Sequence, residues 1–218
     1  MAVALTSTEI AAARESLVVL DPRLAPAHAA VPPFEWRLRP GGFEGLFRMI
    51  VEQQVSLAAA AAIWKRVVEG LAGEVVPAAV LARDADTLRG FGLSLQKARY
   101  AHEIARAHVE GAIDFDHLER LSDAEAVGRL TAIKGVGRWT AETFLMFCEA
   151  RTDVFPAGDI ALQEAMRWAD GAPLRPREKE AYVRAEGWRP HRSVAAHLLW
   201  EWYGAVKRGE AAPEAPAA

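Results

Sequence analysis

Residues 130–149 read Leu-Thr-Ala-Ile-Lys-Gly-Val-Gly-Arg-Trp-Thr-Ala-Glu-Thr-Phe-Leu-Met-Phe-Cys-Glu, and residues 158–162 read Gly-Asp-Ile-Ala-Leu. In the first stretch, two helical runs are joined by Lys134-Gly135-Val136-Gly137 alone. Glycines at both ends of so short a connection allow backbone conformations that a Cβ would block. The second helix is expected to start at Arg138, so the N–H groups of its first turn point outward. Such an end attracts a phosphate through aligned dipoles and direct hydrogen bonds. Lys134 and Arg138 add positive charge, Val136 can pack under the turn, and Thr140 belongs to the same first helical turn. Read alone, the Gly-x-Gly also describes a plain structural turn, because a helix C-cap is its commonest meaning.

In the second stretch, Asp159 opens a further helix. Gly-Asp-Ile-Ala-Leu has the form of an N-cap aspartate, whose carboxylate accepts from the first free amides. A carboxylate at that position also suits chemistry that develops positive charge. The two roles are compatible, since a helix N-terminus favours the ionised form.

The rest of the chain sets bounds. Its 218 residues allow one large domain or two lobes sharing a core. Apolar residues at 51% and charged residues at 25% are ordinary for a globular protein. The net charge of −3 does not advertise nucleic-acid binding, although charge can be segregated to one face. Cys148 is the single cysteine, so no disulfide framework and no cysteine-ligated zinc or iron–sulfur site can form within one chain. His102 and His108 are six apart, as are His191 and His197, which sets each pair on different helix faces. No signal sequence and no apolar run long enough for a bilayer is visible, so an intracellular, membrane-free protein is expected.

The pattern is helical nearly throughout. Thr6-x-x-Glu9 and Ser122-x-x-Glu125 are capping boxes, the first opening a helix to about Leu20 and the second one to about Ile133. Residues 21–42 hold five prolines and two glycines and read as loop or extended connector. Phe43, Leu46, Phe47 and Ile50 fall at helical spacing, Ser56 caps an alanine-rich helix ending near Gly73, and Ser94 caps a long helix closing at Gly111. Short helices over 77–89, a helix over 138–149 and helices over 176–186 and 190–207 complete the reading. Residues 209–218, rich in Ala, Pro and Glu, read as a disordered tail. No segment alternates with period two, so the fold class expected is all-α.

Leu130-x-x-Ile-Lys-Gly-Val-Gly-Arg-Trp-Thr-Ala followed by Gly158-Asp159 resembles the helix-hairpin-helix and catalytic turn of the DNA glycosylase superfamily. Glu52-Gln-Gln-Val-Ser56, Phe91-Gly-Leu-Ser-Leu-Gln-Lys-Ala98 and Trp188-Arg-Pro-His-Arg-Ser-Val-Ala-Ala-His-Leu-Leu-Trp200 are similar to successive blocks of its 3-methyladenine DNA glycosylase II branch. The likeness runs from about residue 34 to 203, as a compact form without the β-rich N-terminal domain of longer bacterial members. It implies two helical lobes flanking a DNA-binding cleft. One would span 43–150 with the hairpin, and the other would be built from 1–42 and 151–208.

By the same resemblance, Asp159 is the catalytic aspartate, stabilising charge on the deoxyribose and orienting water. Where bifunctional members carry a lysine nucleophile, this chain has Trp139, which implies a monofunctional hydrolase without Schiff base. Trp139 and Trp200 match aromatic positions of the base pocket, where a tryptophan face attracts an alkylated, cationic purine; the plainer alternative for each is a core aromatic. Thr143 stands where the family often has an aromatic. Gln54 matches the wedge that fills the gap left by the flipped nucleotide, or is a solvent-facing turn residue. The implied partner is damaged double-stranded DNA, with the protein as a monomer at the nucleoid or in the nucleus. No cofactor is implied, and whether hairpin carbonyls hold a monovalent cation is left open. A glycosylase for deaminated or oxidised bases and a non-catalytic helix-hairpin-helix binding protein are the competing readings.

Overall fold

The computed structural model describes residues 4–213, and every regular element among them is helical. In chain order the α-helices are α1 (Ser7–Leu20), α2 (Ala25–Ala30), α3 (Gly42–Glu52), α4 (Leu57–Gly70), α5 (Pro77–Leu81), α6 (Ala85–Gly90), α7 (Leu95–Val109), α8 (Asp123–Thr131), α9 (Arg138–Cys148), α10 (Ile160–Ala169), α11 (Glu178–Ala185) and α12 (Arg192–Lys207). Short 3-10 turns lie at Pro22–Leu24, Phe115–Arg120 and Glu186–Trp188. The chain divides into two compact units, one of Met1–Leu38 with Ala150–Ala218 and one of Arg39–Glu149. No helix among the described residues is long and apolar enough to cross a membrane.

Local chemistry sets the helix starts. Both capping boxes form, Thr6 with Glu9 and Ser122 with Glu125. Ser56, Asp84 and Ser94 each accept the amide three residues on, at 3.3, 2.8 and 3.2 Å. The connector expected over 21–42 is helical in its first part. Asp21 accepts the Arg23 amide, and Pro22 and Pro26 stand in the first turn of a 3-10 turn and of α2. A proline there gives up an amide that has no partner within the helix, so it starts a turn instead of breaking one. The extended remainder is held by Arg14 of α1, only 5% exposed, whose guanidinium donates to the carbonyls of His28, Val31 and Pro32 at 2.9, 2.6 and 3.0 Å.

The C-terminal end also departs from the expectation. Residues 209–210 are tied back to α12, with the Gly209 amide on Val206 O at 3.0 Å and the Glu210 amide on Ala205 O at 2.9 Å. Gly209 has φ +75°, which makes this a Schellman closure of the helix. The part of the expected tail at 214–218 lies outside the described residues.

In the middle-segment unit, α3 packs on α4, α7 and α9, and its fully buried Leu46, Phe47 and Ile50 form the centre of that core. Phe47 meets Trp64 of α4 edge-on at 5.7 Å, and Phe144 of α9 meets Phe115 at 6.0 Å. Each such side chain contributes about 2 kcal/mol by leaving water. Eight of the eleven residues of α9 are buried, yet its first turn is exposed at Arg138 and Trp139.

In the terminal-segment unit, α12 packs on α1, α2 and α10 around Leu17, Leu24, Trp188, Leu198 and Trp202, all fully or nearly fully buried. Asp21, 5% exposed, accepts the Trp188 indole N–H at 2.8 Å and pairs with Arg184 and, at 3.0 Å, Arg23. Arg184 in turn grips Asp170, the C-cap of α10, at 2.9 Å. Burial would raise the Asp21 pKa, but the hydrogen bonds from Arg184, Trp188 and Arg23 outweigh it and hold the carboxyl below its ordinary value.

A carboxylate with a depressed folded pKa contributes stability above its unfolded pKa and loses it as pH falls through the folded one. Asp21→Asn should therefore lower the urea unfolding free energy at pH 7 by about 3 kcal/mol, since it leaves Arg184 without part of its buried counter-charge. The deficit against wild type should shrink as pH falls below about 4. Equal midpoints at pH 7 would show that the network carries no stability.

Candidate functional site

The hairpin sits in the middle-segment unit between α8 and α9. Gly135 has φ +100°, and a Cβ there would stand 2.2 Å from the Tyr100 ring of α7. Both the backbone conformation and the space therefore require glycine at 135. Gly137 differs: its φ is −78°, and an added Cβ would meet nothing within 4 Å. Its bare backbone is the N-cap of α9, with no side-chain cap hydrogen bond. The first backbone bond of the helix runs from the Ala141 amide to Gly137 O at 2.9 Å, so the amides of the preceding turn lie ahead of it at the positive end of the dipole. Val136 is 5% exposed beneath the turn, with its amide on Ile133 O at 3.0 Å. Of the hairpin carbonyls that a cation could use, that of Ile133 is thus already an acceptor.

Lys134, Arg138 and Trp139 are exposed around this helix start. Arg138 pairs at 3.0 Å with Glu142, whose side chain is 4% exposed. Thr140 is 3% exposed, and its hydroxyl accepts from Gln53 Nε2 at 2.9 Å. Thr143 is 4% exposed, and its hydroxyl lies 2.7 Å from Trp139 O and 3.1 Å from Thr140 O. The proton of that hydroxyl is engaged by its own helix, so the side chain has no free donor to offer a neighbour. Trp139 keeps 42% of its surface exposed.

The turn between α3 and α4 belongs to the same unit. Gln54 is exposed and holds φ +55°, a left-handed conformation rare outside glycine. On its N-terminal side, Lys97 Nζ of α7 donates to Val51 O at 2.8 Å and to Gln53 O at 2.6 Å. Burial draws the Lys97 ammonium below its ordinary pKa. On its C-terminal side, Ser56 caps α4. Lys97, Gln53 and Tyr100 were not among the residues singled out from the sequence. Lys97 lies within a recognised block, but nothing in its neighbours announces that its ammonium caps a helix 44 residues away.

Asp159 lies in the terminal-segment unit as the N-cap of α10. Its Oδ1 accepts the Ala161 amide at 2.8 Å and the Leu162 amide at 3.1 Å. The side chain is half-buried, and the two bonds set its direction. The loop before it is anchored on both sides. Gln163 of α10 reaches back to Ala157 O at 2.8 Å. At the other end, Ser193 Oγ accepts the Val154 amide at 2.9 Å, and Arg192, 9% exposed, binds Asp153 Oδ1 at 2.8 Å. Trp200 of α12, also half-buried, meets His197 edge-on at 6.2 Å. His197 lies against Trp36 at 4.8 Å and is stacked with Phe34 at 5.6 Å, and burial lowers its pKa to about 4. The cluster therefore stays uncharged at neutral pH. Trp36, 6% exposed, anchors the connector there.

A family model described as HhH-GPD superfamily base excision DNA repair protein matches residues 47–190. The chain is 34% identical over 162 residues to DNA-3-methyladenine glycosylase 1 of Schizosaccharomyces pombe, covering 73% of this chain and 71% of that protein. The aligned regions span 56% of one curated relative from Bacillus subtilis and 71% and 76% of two from S. pombe. Among solved structures, a DNA-3-methyladenine glycosidase from Bacillus halodurans superposes with a TM-score of 0.83 at 31% identity, over 93% of this chain and 94% of that one. The S. pombe 3-methyladenine DNA glycosylase in complex with abasic DNA superposes with a TM-score of 0.76 at 31% identity, over 87% and 95%.

Gly135→Ala tests the hairpin geometry. The positive φ and the contact with Tyr100 should together cost about 2 kcal/mol of unfolding free energy, read from urea midpoints. Gly135→Ala combined with Tyr100→Ala should recover only the steric part. A single variant as stable as wild type would show that the turn relaxes freely.

Proposed function

The chain belongs to the HhH-GPD superfamily of base excision DNA repair proteins, and from that premise we propose that it is a monofunctional glycosylase excising alkylated purines, of the 3-methyladenine and 7-methylguanine type, from duplex DNA. The observation that carries the reading is Asp159, a carboxylate oriented by two amide hydrogen bonds at the turn that matches the family's catalytic position. The names of the relatives point to the same lesion class.

In this reading the hairpin holds a DNA phosphate through the amides that open α9, with Lys134 and Arg138 beside them. Binding by main-chain dipoles explains how a chain of net charge −3 engages a polyanion. The lesion leaves the stack at a cost of a few kcal/mol, and Gln54 enters the gap. Trp139 and Trp200 are the tryptophans that match the family's base-pocket positions, and each can offer an indole face to the base. An indole face attracts a cationic ring by about 0.5–2 kcal/mol. Thr143, its O–H committed to the carbonyls of its own helix, presents no free donor to the base edge. Recognition in this reading rests on the electron deficiency of the base.

The C1′–N bond breaks with its electron pair passing to the departing purine, which becomes neutral. The positive charge left on the sugar is stabilised by the Asp159 carboxylate, and a water oriented there adds to C1′ and gives up a proton. A cationic base is already a good leaving group, so one carboxylate suffices. Trp139, standing where bifunctional relatives carry a lysine, leaves no amine to form a Schiff base.

Incubation with methylated duplex DNA should release 3-methyladenine or 7-methylguanine and leave uncut abasic strands, with no borohydride-trapped adduct. Asp159→Asn should slow release by about 10²–10³-fold while duplex binding persists. Release at the native rate by this variant would remove Asp159 from the chemistry. Release confined to hypoxanthine or 8-oxoguanine would move the substrate to deaminated or oxidised bases. Duplex binding without any release would favour a non-catalytic binding protein.

A further inference from the structure

The turn that carries Gln54 is built from three parts of the middle-segment unit. Lys97 on α7 binds the last carbonyls of α3, those of Val51 and Gln53, at 2.8 and 2.6 Å. Gln53, the C-cap of α3, reaches 87 residues along the chain to the Thr140 hydroxyl of α9 at 2.9 Å. Between these two fixtures Gln54 is held at φ +55° and left exposed. A left-handed conformation in a non-glycine residue persists only where the surroundings over-determine it, and such strain clusters at functional positions. Without its fixtures, the turn has no evident reason to keep that conformation.

We propose that Lys97 and Gln53 are positioning residues that lock the Gln54 turn in register with the phosphate-binding start of α9, so that backbone binding is converted into opening of the base stack. The inference rests on the glycosylase reading only for the identity of the ligand, a DNA duplex. Thr140 is the link: its hydroxyl takes the Gln53 amide, while its own backbone lies in the first turn of α9. A phosphate drawn to that turn and a side chain inserted from the Gln54 turn are thereby held at a fixed spacing. A loose turn would leave phosphate binding intact but let the inserted side chain yield to the stacked bases.

The opening can be read without catalysis. A duplex carrying 2-aminopurine opposite a stable tetrahydrofuran abasic analogue reports unstacking as a rise in fluorescence. Wild type should bind it and raise the signal. Gln53→Met, which alters a half-buried side chain and leaves Lys97 in place, should bind within about threefold of wild type. It should lose more than half of the fluorescence change. Lys97→Met should lose at least as much, and Lys97→Arg, which can still donate to both carbonyls, should regain most of it. Urea midpoints identify any variant that has simply unfolded. In parallel, excision of 7-methylguanine from single-stranded DNA should stay within about threefold for Gln53→Met, while excision from duplex falls tenfold or more.

A full fluorescence rise in both Gln53→Met and Lys97→Met, or binding and fluorescence lost in equal proportion, overturns the proposal. A wild type that unstacks the duplex but excises nothing would sink the glycosylase reading while leaving the positioning role in place. A wild type that excises without unstacking does the reverse.

Discussion

The burial of α9 is the constraint on which the middle-segment unit depends. With most of its residues inside, the helix has no freedom to rotate or slide without breaking close packing. Its exposed first turn is therefore a fixed platform. Glu142 extends that fixity to the surface: a carboxylate 4% exposed needs a counter-charge, and Arg138 supplies it one turn back. The arginine at the start of α9 is thereby held in one direction. An oriented group loses less entropy on binding than a free one.

The starts of α9 and α10 solve the same electrostatic problem in opposite ways. α9 begins at Gly137, a cap with no side chain and no side-chain cap hydrogen bond. α10 begins at Asp159, which supplies an anion of its own. The first arrangement leaves the cap position without a side chain, and the second fixes a carboxylate in direction through two amide hydrogen bonds. One structural motif, differing in its cap residue, thus yields one helix start with a bare backbone cap and one with an oriented carboxylate.

Much of this was legible because it is local. Thr6, Ser56, Ser94 and Ser122 announced their helices through capping contacts that span three residues. Gly135 and Asp159 were legible because their neighbours carry a recognisable order. The prolines of 22–33 misled, because a proline reads alike whether it starts a turn or breaks one; the Asp21 cap and the Arg14 anchor decide between them. Contacts between distant segments left no trace in the sequence. Trp188 bonds Asp21 across 167 residues, and Gln53 bonds Thr140 across 87. The hydroxyls of Thr140 and Thr143 were also illegible as to direction, since the sequence gives a threonine's place on a helix but not which backbone or side-chain group its oxygen finds.

Cys148 closes α9 at 5% exposure, and burial pushes its thiol up to about 12. Only the thiolate attacks electrophiles with any speed. At neutral pH Cys148 is held almost wholly as the thiol, and little of it meets solvent. The reagents that methylate purines are electrophiles of the kind that thiolates consume. The single sulfhydryl of this chain is thus held in a form that such electrophiles attack slowly, where an exposed thiolate would be consumed.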